Sequence, residues 1–189
     1  MNPNQSLFEL PLNGATGYAS VELPLYKTAD ISAKTSQKLA AGSGFCILQE
    51  HADWWQIATK QNTGWIRSAF ALLNLPDVLP SIIFNCTNTY AAIYRSSEKA
   101  IPEITGKQLY HSRGYNKRLQ KDSYIVPVLY PMSKKIAQAQ KNALSQGDTL
   151  LVYEGFRPYT VQEKVASQLA DLAQKDKKSK PVSRLLPGN

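Results

Sequence analysis

Four short stretches rich in β-forming residues, Gly17 to Leu23, Phe45 to Gln49, Trp54 to Thr59 and Gly64 to Arg67, recur between turn signals. The breaks fall at Gly42-Ser43-Gly44, at His51-Ala52-Asp53 and at Gln61-Asn62-Thr63-Gly64. Each is a turn-rich cluster of the length that joins hairpin strands, and four or five short strands suit a closed barrel, so residues 1–75 are predicted to form a small all-β barrel. Closing such a barrel removes exposed sheet edges. Trp55, Ile57 and Trp65 recur at the two-residue period of a strand and are expected in the core. Trp54 then faces outward and, with Tyr26, is the candidate for binding a peptide or glycan, since flat amphipathic rings bind with little loss of entropy. His51, beside Asp53 in a turn, reads as a solvated loop histidine rather than a metal ligand.

Beyond residue 75 the pattern changes. Leu75-Pro76-Asp77-Val78-Leu79-Pro80 is a short proline-flanked connector, too brief and too apolar for a disordered linker, which places the two parts close together. Charge divides at the same point. Residues 1–75 balance five basic against five acidic side chains, whereas residues 76–189 hold seventeen basic and nine acidic and so carry the whole net charge of +8. A positive field of this kind concentrates polyanions such as nucleic acid, anionic membrane surfaces or wall polymers. No zinc finger, helix-turn-helix or glycine-rich RNA motif accompanies it, so nucleic acid is the weakest of these partners. The cluster Lys175, Lys177, Lys178 and Lys180 reads as a solvated tail. No apolar run approaches the roughly 18 residues of a membrane span, and Met1 to Leu12 shows no secretion leader. Cys46 and Cys86 are expected as buried free thiols. Asn85-Cys86-Thr87 matches a glycosylation sequon, a pattern too short to carry weight.

In this second part, Pro131 to Leu144 is predicted to be a helix with Met132, Ile136, Ala139, Ala143 and Leu144 on its buried face and Gly147 as its stop. Thr149 to Tyr153 reads as a β-strand, and Gly155 permits a tight turn that brings Arg157 to a cleft. Thr160 and Glu163 have capping-box spacing, and Val161, Val165, Leu169 and Leu172 form one stripe, predicting a helix over 161–174. An arginine fixed at such a turn offers a fork of donors to an anion or a developing oxyanion. A salt bridge from Arg157 to Glu154 or Glu163 is the plainer use of the same side chain. No histidine or cysteine follows Arg157, and His111 lacks an acidic neighbour at metal-ligand spacing, so no metal site is expected in this chain.

Two resemblances bear on function. Gly17-Tyr18, Lys38-Leu39-Ala40-Ala41-Gly42, Trp54-Trp55-Gln56-Ile57 and Thr63-Gly64-Trp65-Ile66 together resemble the bacterial SH3-like domain of wall-directed proteins, with Leu25-Tyr26-Lys27 where that family commonly has an Asn-Arg pair. Ile104-Thr105-Gly106-Lys107-Gln108-Leu109-Tyr110, followed by Gly147 and by Gly155-Phe156-Arg157-Pro158, resembles the N-terminal half of the zinc D-alanyl-D-alanine dipeptidase and carboxypeptidase family over about residues 77 to 170. The second resemblance implies that Arg157 binds substrate and stabilises charge at the reacting carbonyl while zinc activates water. It also implies a zinc-binding segment downstream of the arginine, which this chain does not reach.

The resulting expectation is an α+β protein. Residues 1–75 form an SH3-like barrel, and residues 76–189 form a partial peptidase-like domain lacking its metal-binding half, truncated and inactive as given. It is cell-wall directed, at the envelope or outside the cell, and contacts peptidoglycan or wall peptides. Arg157 is the candidate catalytic residue, and its replacement by alanine is expected to damage turnover in a completed enzyme with little loss of folding. Tyr26 and Trp54 are the candidate binding residues. The rival reading is a non-catalytic peptidoglycan-binding protein. A half domain also predicts uncovered apolar surface and self-association through it.

Overall fold

The computed structural model describes residues 10–86, 95–96, 99–100, 113–157, 159, 162–163 and 166–167. The segment Ile104–Tyr110, His111, the basic cluster at 175–180 and most of the helix expected over 161–174 lie outside them.

The first part contains β1 (Thr16–Ala19), β2 (Leu23–Tyr26), β3 (Thr35–Leu39), β4 (Gly44–His51), β5 (Trp54–Ala58), β6 (Thr63–Arg67) and, after a 3-10 turn at Ser68–Phe70, β7 (Ala71–Asn74). The stretch read as one strand from Gly17 to Leu23 is two, because the chain turns at Ser20–Glu22 and leaves the edge of β1 for that of β3. The expected turn clusters do separate strands. Between β4 and β5, Ala52 takes a left-handed conformation (φ 49), and Gly42 does the same before β4 (φ 80).

The second part contains α1 (Leu75–Val78), β8 (Ile83–Phe84), β9 (Arg95–Ser96), β10 (Lys99–Ala100), β11 (Arg113–Asn116), β12 (Lys121–Tyr124), β13 (Pro127–Leu129), α2 (Tyr130–Ser145) and β14 (Leu151–Val152). With its helices and predominantly antiparallel strands, the protein is α+β. The main sheet runs β13-β7-β1-β4-β5-β6-β2-β3, every neighbouring pair antiparallel. No pairing joins β3 to β13 among the described residues, so the sheet ends at those two strands instead of closing on itself.

The sheet continues across residue 75. β13 pairs with β7, with Val128 opposite Leu73, and Leu73, Val78, Val126, Val128 and Ala137 share one hydrophobic core with Leu25, Ile47, Trp55, Ile57 and Ile66. The connector is itself core: all four residues of α1 are buried. Asp77 is the polar centre of this junction. Its Oδ2 accepts the Thr16 backbone N–H at 2.6 Å, and its Oδ1 accepts the Asn74 side-chain amide at 2.7 Å together with that of Asn116. Asn74 Oδ1 accepts in turn from the Val126 N–H at 2.9 Å, and Arg118 donates to the carbonyls of Pro11 at 2.7 Å and Asn13 at 3.2 Å. One carboxylate thus ties β1, the connector and the β11–β12 hairpin together.

α2 buries a different face from the one its apolar residues suggest. Tyr130, Ser133, Ala137 and Gln140 are buried, Ile136 and Ala143 are half-buried, and Met132, Ala139 and Leu144 are exposed. The correction has a cause in hydrogen bonding. Gln140 donates to Ser81 O, Ser81 Oγ and Thr149 Oγ1 and accepts from the Leu150 N–H, which satisfies a polar side chain in the interior. At the other end of α2 the Tyr130 ring packs edge-on to Trp55 at 5.0 Å, and its hydroxyl donates to Glu50 at 2.7 Å. Gly147 (φ 82) ends the helix as expected, with the Asp148 N–H returning to Ala143 O at 3.0 Å. β14 is shorter than the Thr149–Tyr153 strand expected, and it pairs in parallel with β8. Ile83, Leu151 and Tyr153 around this pair are exposed.

Candidate functional site

Two sites follow from the expected residues. The first lies on the outer side of β2, β5 and β6. Cross-strand register decides which tryptophans face it. β5 and β6 pair Trp55 with Ile66 and Ile57 with Gly64 on the core side, and Trp54 with Arg67 and Gln56 with Trp65 on the other. Trp65 is therefore on the outer face and only half-buried, while Ile66 takes the core position expected for it. Gly64 sets this phase: a Cβ there would come within 2.6 Å of Leu25 Cγ and 2.7 Å of the Tyr26 carbonyl oxygen, so this position faces a crowded interior.

Trp54 faces outward as expected, yet it is covered. The Tyr26 ring meets it edge-on at 5.3 Å and the Arg67 guanidinium sits over it at 5.3 Å, leaving 7% of the residue exposed. Trp54 thus supports the surface from beneath and offers no bare face for stacking. His51 approaches Trp65 edge-on at 6.4 Å.

Beside Tyr26 and Arg67 a groove of about 290 Å³ opens, lined also by Val21, Pro24, Ile31 and Phe70. Val21, Ile31 and Phe70 are exposed although apolar. They come from the β1–β2 turn, the β2–β3 loop and the 3-10 turn, where no strand period marks them. Their signal in the sequence is large apolar side chains placed inside turn segments. The loop carrying Ile31 is shaped locally: Asp30 accepts the Ser32 backbone N–H at 2.8 Å and its hydroxyl at 2.9 Å, which hold the carboxyl below its ordinary range. Among the described residues Arg67 pairs with Asp53 at 3.4 Å, the arginine side chain 39% and the aspartate 75% exposed. A pair so long and so wet contributes little and exchanges readily for another anion.

The second site is the turn carrying Arg157. Gly155 is required there, because a Cβ would fall 2.5 Å from the Pro127 carbonyl oxygen. The guanidinium is engaged on three nitrogens. Nε donates to Glu154 Oε2 at 3.1 Å, Nη2 contacts the same oxygen, and Nη1 donates to Gln162 Oε1 at 2.7 Å. Arg157 and Glu154 are 19% and 21% exposed, so the plainer reading of this arginine is the one its geometry displays. The fork expected to face a substrate carbonyl is closed around a carboxylate of the same turn.

The zinc implied by the peptidase resemblance finds no fitting donors among the described residues, where no group of three or more His, Cys, Asp or Glu side chains converges. Cys86 is the thiol close enough to the Arg157 turn to feel the Glu154 charge. Its thiol donates to Val152 O at 3.3 Å and is pushed up to about 11, first by burial and then by the Glu154 charge, which opposes the thiolate that zinc requires. Cys46 is likewise a free thiol, but half-buried instead of buried as expected.

Tyr18, on β1, is similarly pushed up to about 12 by burial and, secondarily, by Asp77. Both groups are neutral when protonated, and folding raises both values. Their contribution to stability is therefore complete below the ordinary values of 9.0 for the thiol and 10.0 for the phenol, and is lost as pH rises toward 11 and 12. Thermal unfolding midpoints should be flat from pH 7 to 8.5 and fall from about pH 9 upward. Cys86→Ala should remove the first part of the fall, and Tyr18→Phe the second. A midpoint unchanged to pH 11 would contradict both assignments.

A scan against protein-family models and a search of the curated proteins found no match to this chain.

Proposed function

We propose that this chain is a cell-wall-directed binding protein, in which an SH3-like N-terminal part holds wall peptides without hydrolysing them. One observation carries the reading: the groove beside Tyr26 and Arg67 is open and lined by exposed apolar side chains, whereas Arg157, the candidate for catalysis, is closed around Glu154 and Gln162. A guanidinium already neutralised by a carboxylate stabilises a developing oxyanion poorly. The SH3-like motifs favour the wall as the location of the partner, at the envelope or outside the cell. Kinship with D-alanyl-D-alanine peptidases is favoured by the turn itself, where Gly155 packs on the β13 backbone and sets the path to Arg157.

Purified peptidoglycan sacculi separate the two activities. The protein should co-sediment with sacculi, and D-alanyl-D-alanine incubated with the protein and added zinc should release no D-alanine. Zinc-dependent release of D-alanine would overturn the binding reading in favour of the peptidase one. Absence of sedimentation would remove the wall as the partner.

A further inference from the structure

Resting on that reading, the geometry of the groove points to a particular chemistry of occupant: a short peptide segment ending in a free carboxylate, with small apolar side chains just before it. The floor and walls are Val21, Pro24, Tyr26, Ile31 and Phe70, and among the described residues the only cation lining the groove is Arg67. Three facts favour a carboxylate at Arg67. Its guanidinium is oriented by lying over Trp54, 5.3 Å from the ring centroid, so a planar fork is presented without first having to be ordered. Its existing carboxylate partner, Asp53, is 3.4 Å away and 75% exposed, a contact that an incoming anion can replace. The other charge lining the groove, Glu22, is paired with Lys38 at 2.7 Å, an exposed contact that lessens its repulsion of an anionic ligand.

Size and polarity narrow the occupant further. At about 290 Å³ the groove is at the lower end of small-molecule sites and takes two or three small residues, not a folded partner. Apolar walls favour methyl-sized side chains over charged ones, and the single cation gives the segment its direction. A terminal carboxylate fits this arrangement better than an internal acidic side chain, because it can reach Arg67 while the residues before it lie along Tyr26 and Ile31.

The test compares acetyl-Ala-D-Ala-D-Ala as the free acid with its C-terminal amide, by isothermal titration or chemical-shift mapping. The acid should bind about tenfold more tightly than the amide, and its affinity should fall with salt. Arg67→Gln should abolish the difference between acid and amide, while Arg67→Lys, which keeps the charge but not the fork, should retain part of it. Ile31 is 73% exposed, so Ile31→Asp leaves the fold intact and should weaken the acid by repulsion and lost contact. Equal binding of acid and amide, with sacculi still sedimenting, would sink the carboxylate inference and leave wall binding standing. Discrimination by Arg67 without any binding of sacculi would do the reverse. An Ile31→Asp protein that binds the acid unchanged would place the ligand outside the groove.

Discussion

Asp77→Ala should cost about 3–5 kcal/mol, the largest loss from any single substitution at the junction between the two parts of the chain. The carboxylate is 3% exposed and accepts from three donors: the Thr16 backbone and the side chains of Asn74 and Asn116. Removing it leaves those donors buried and unpaired, at about 1–3 kcal/mol each before relaxation. The isosteric Asp77→Asn offers no escape. Oδ1 already receives two amides and Oδ2 receives a backbone N–H, so either orientation of the new amide sets an N–H₂ group against a donor. For a chain of this length each kcal/mol moves the thermal midpoint by about 2–4 °C, which puts the expected fall at about 6–20 °C for Asp77→Ala. The transition should remain single, because the carboxylate joins elements on both sides of residue 75. An Asp77→Ala protein that melts within a few degrees of the parent would show that the network contributes little, and two separated transitions would show that the halves fold apart.

What could be read from the sequence was what local chemistry dictates. Turn clusters at Gly42 to Gly44, His51 to Asp53 and Gln61 to Gly64 mark real boundaries between strands, and Gly147 ends α2, since each depends on a few neighbouring residues and their allowed backbone angles. What escaped was set by pairing across the chain. Alternation assigns Trp55, Ile57 and Trp65 to one face only if the phase is carried unchanged from β5 to β6, and the register at Ile57–Gly64 reverses that assignment for Trp65. The sequence does contain the correcting signal, a glycine where the core needs no side chain. β13 joining β7, more than fifty residues away, has no local signature at all. Apolar counting also misplaced the buried face of α2, because Gln140 and Ser133 go inside with their hydrogen bonds satisfied while Met132 and Leu144 stay outside.

The candidate sites divide in the same way. Glu154 lies three residues from Arg157, and a turn brings such a pair together, so their ion pair could be anticipated. The binding groove could not, since Arg67 joins Ile31 and Phe70 only after β2 and β6 have paired at Tyr26 and Trp65. Tyr26 was legible as an aromatic facing outward. Its partner in covering Trp54 was not.

Arg157→Ala is then expected to damage the fold, contrary to the small effect anticipated for a residue aimed at substrate. Glu154 Oε2 is shared by two guanidinium nitrogens, and Oε1 is buried with no protein partner among the described residues, so the arginine is what makes this carboxylate tolerable inside the protein. Breaking a fully buried pair from one side costs about 3–5 kcal/mol; with about a fifth of each side chain exposed, water recovers some of this, and a loss of about 2 kcal/mol is expected. Glu154→Gln alone should cost less, about 1 kcal/mol, because the amide oxygen still accepts from the arginine. Combining the two should recover more than half of the Arg157→Ala loss, since the buried charge is gone with its partner, and denaturant unfolding of the four proteins measures that coupling directly. Additive losses in the double variant would mean that Arg157 and Glu154 do not act as a pair. Retention of full stability by Arg157→Ala alone would reopen the possibility that its guanidinium is available to a ligand, and with it the catalytic reading of this turn.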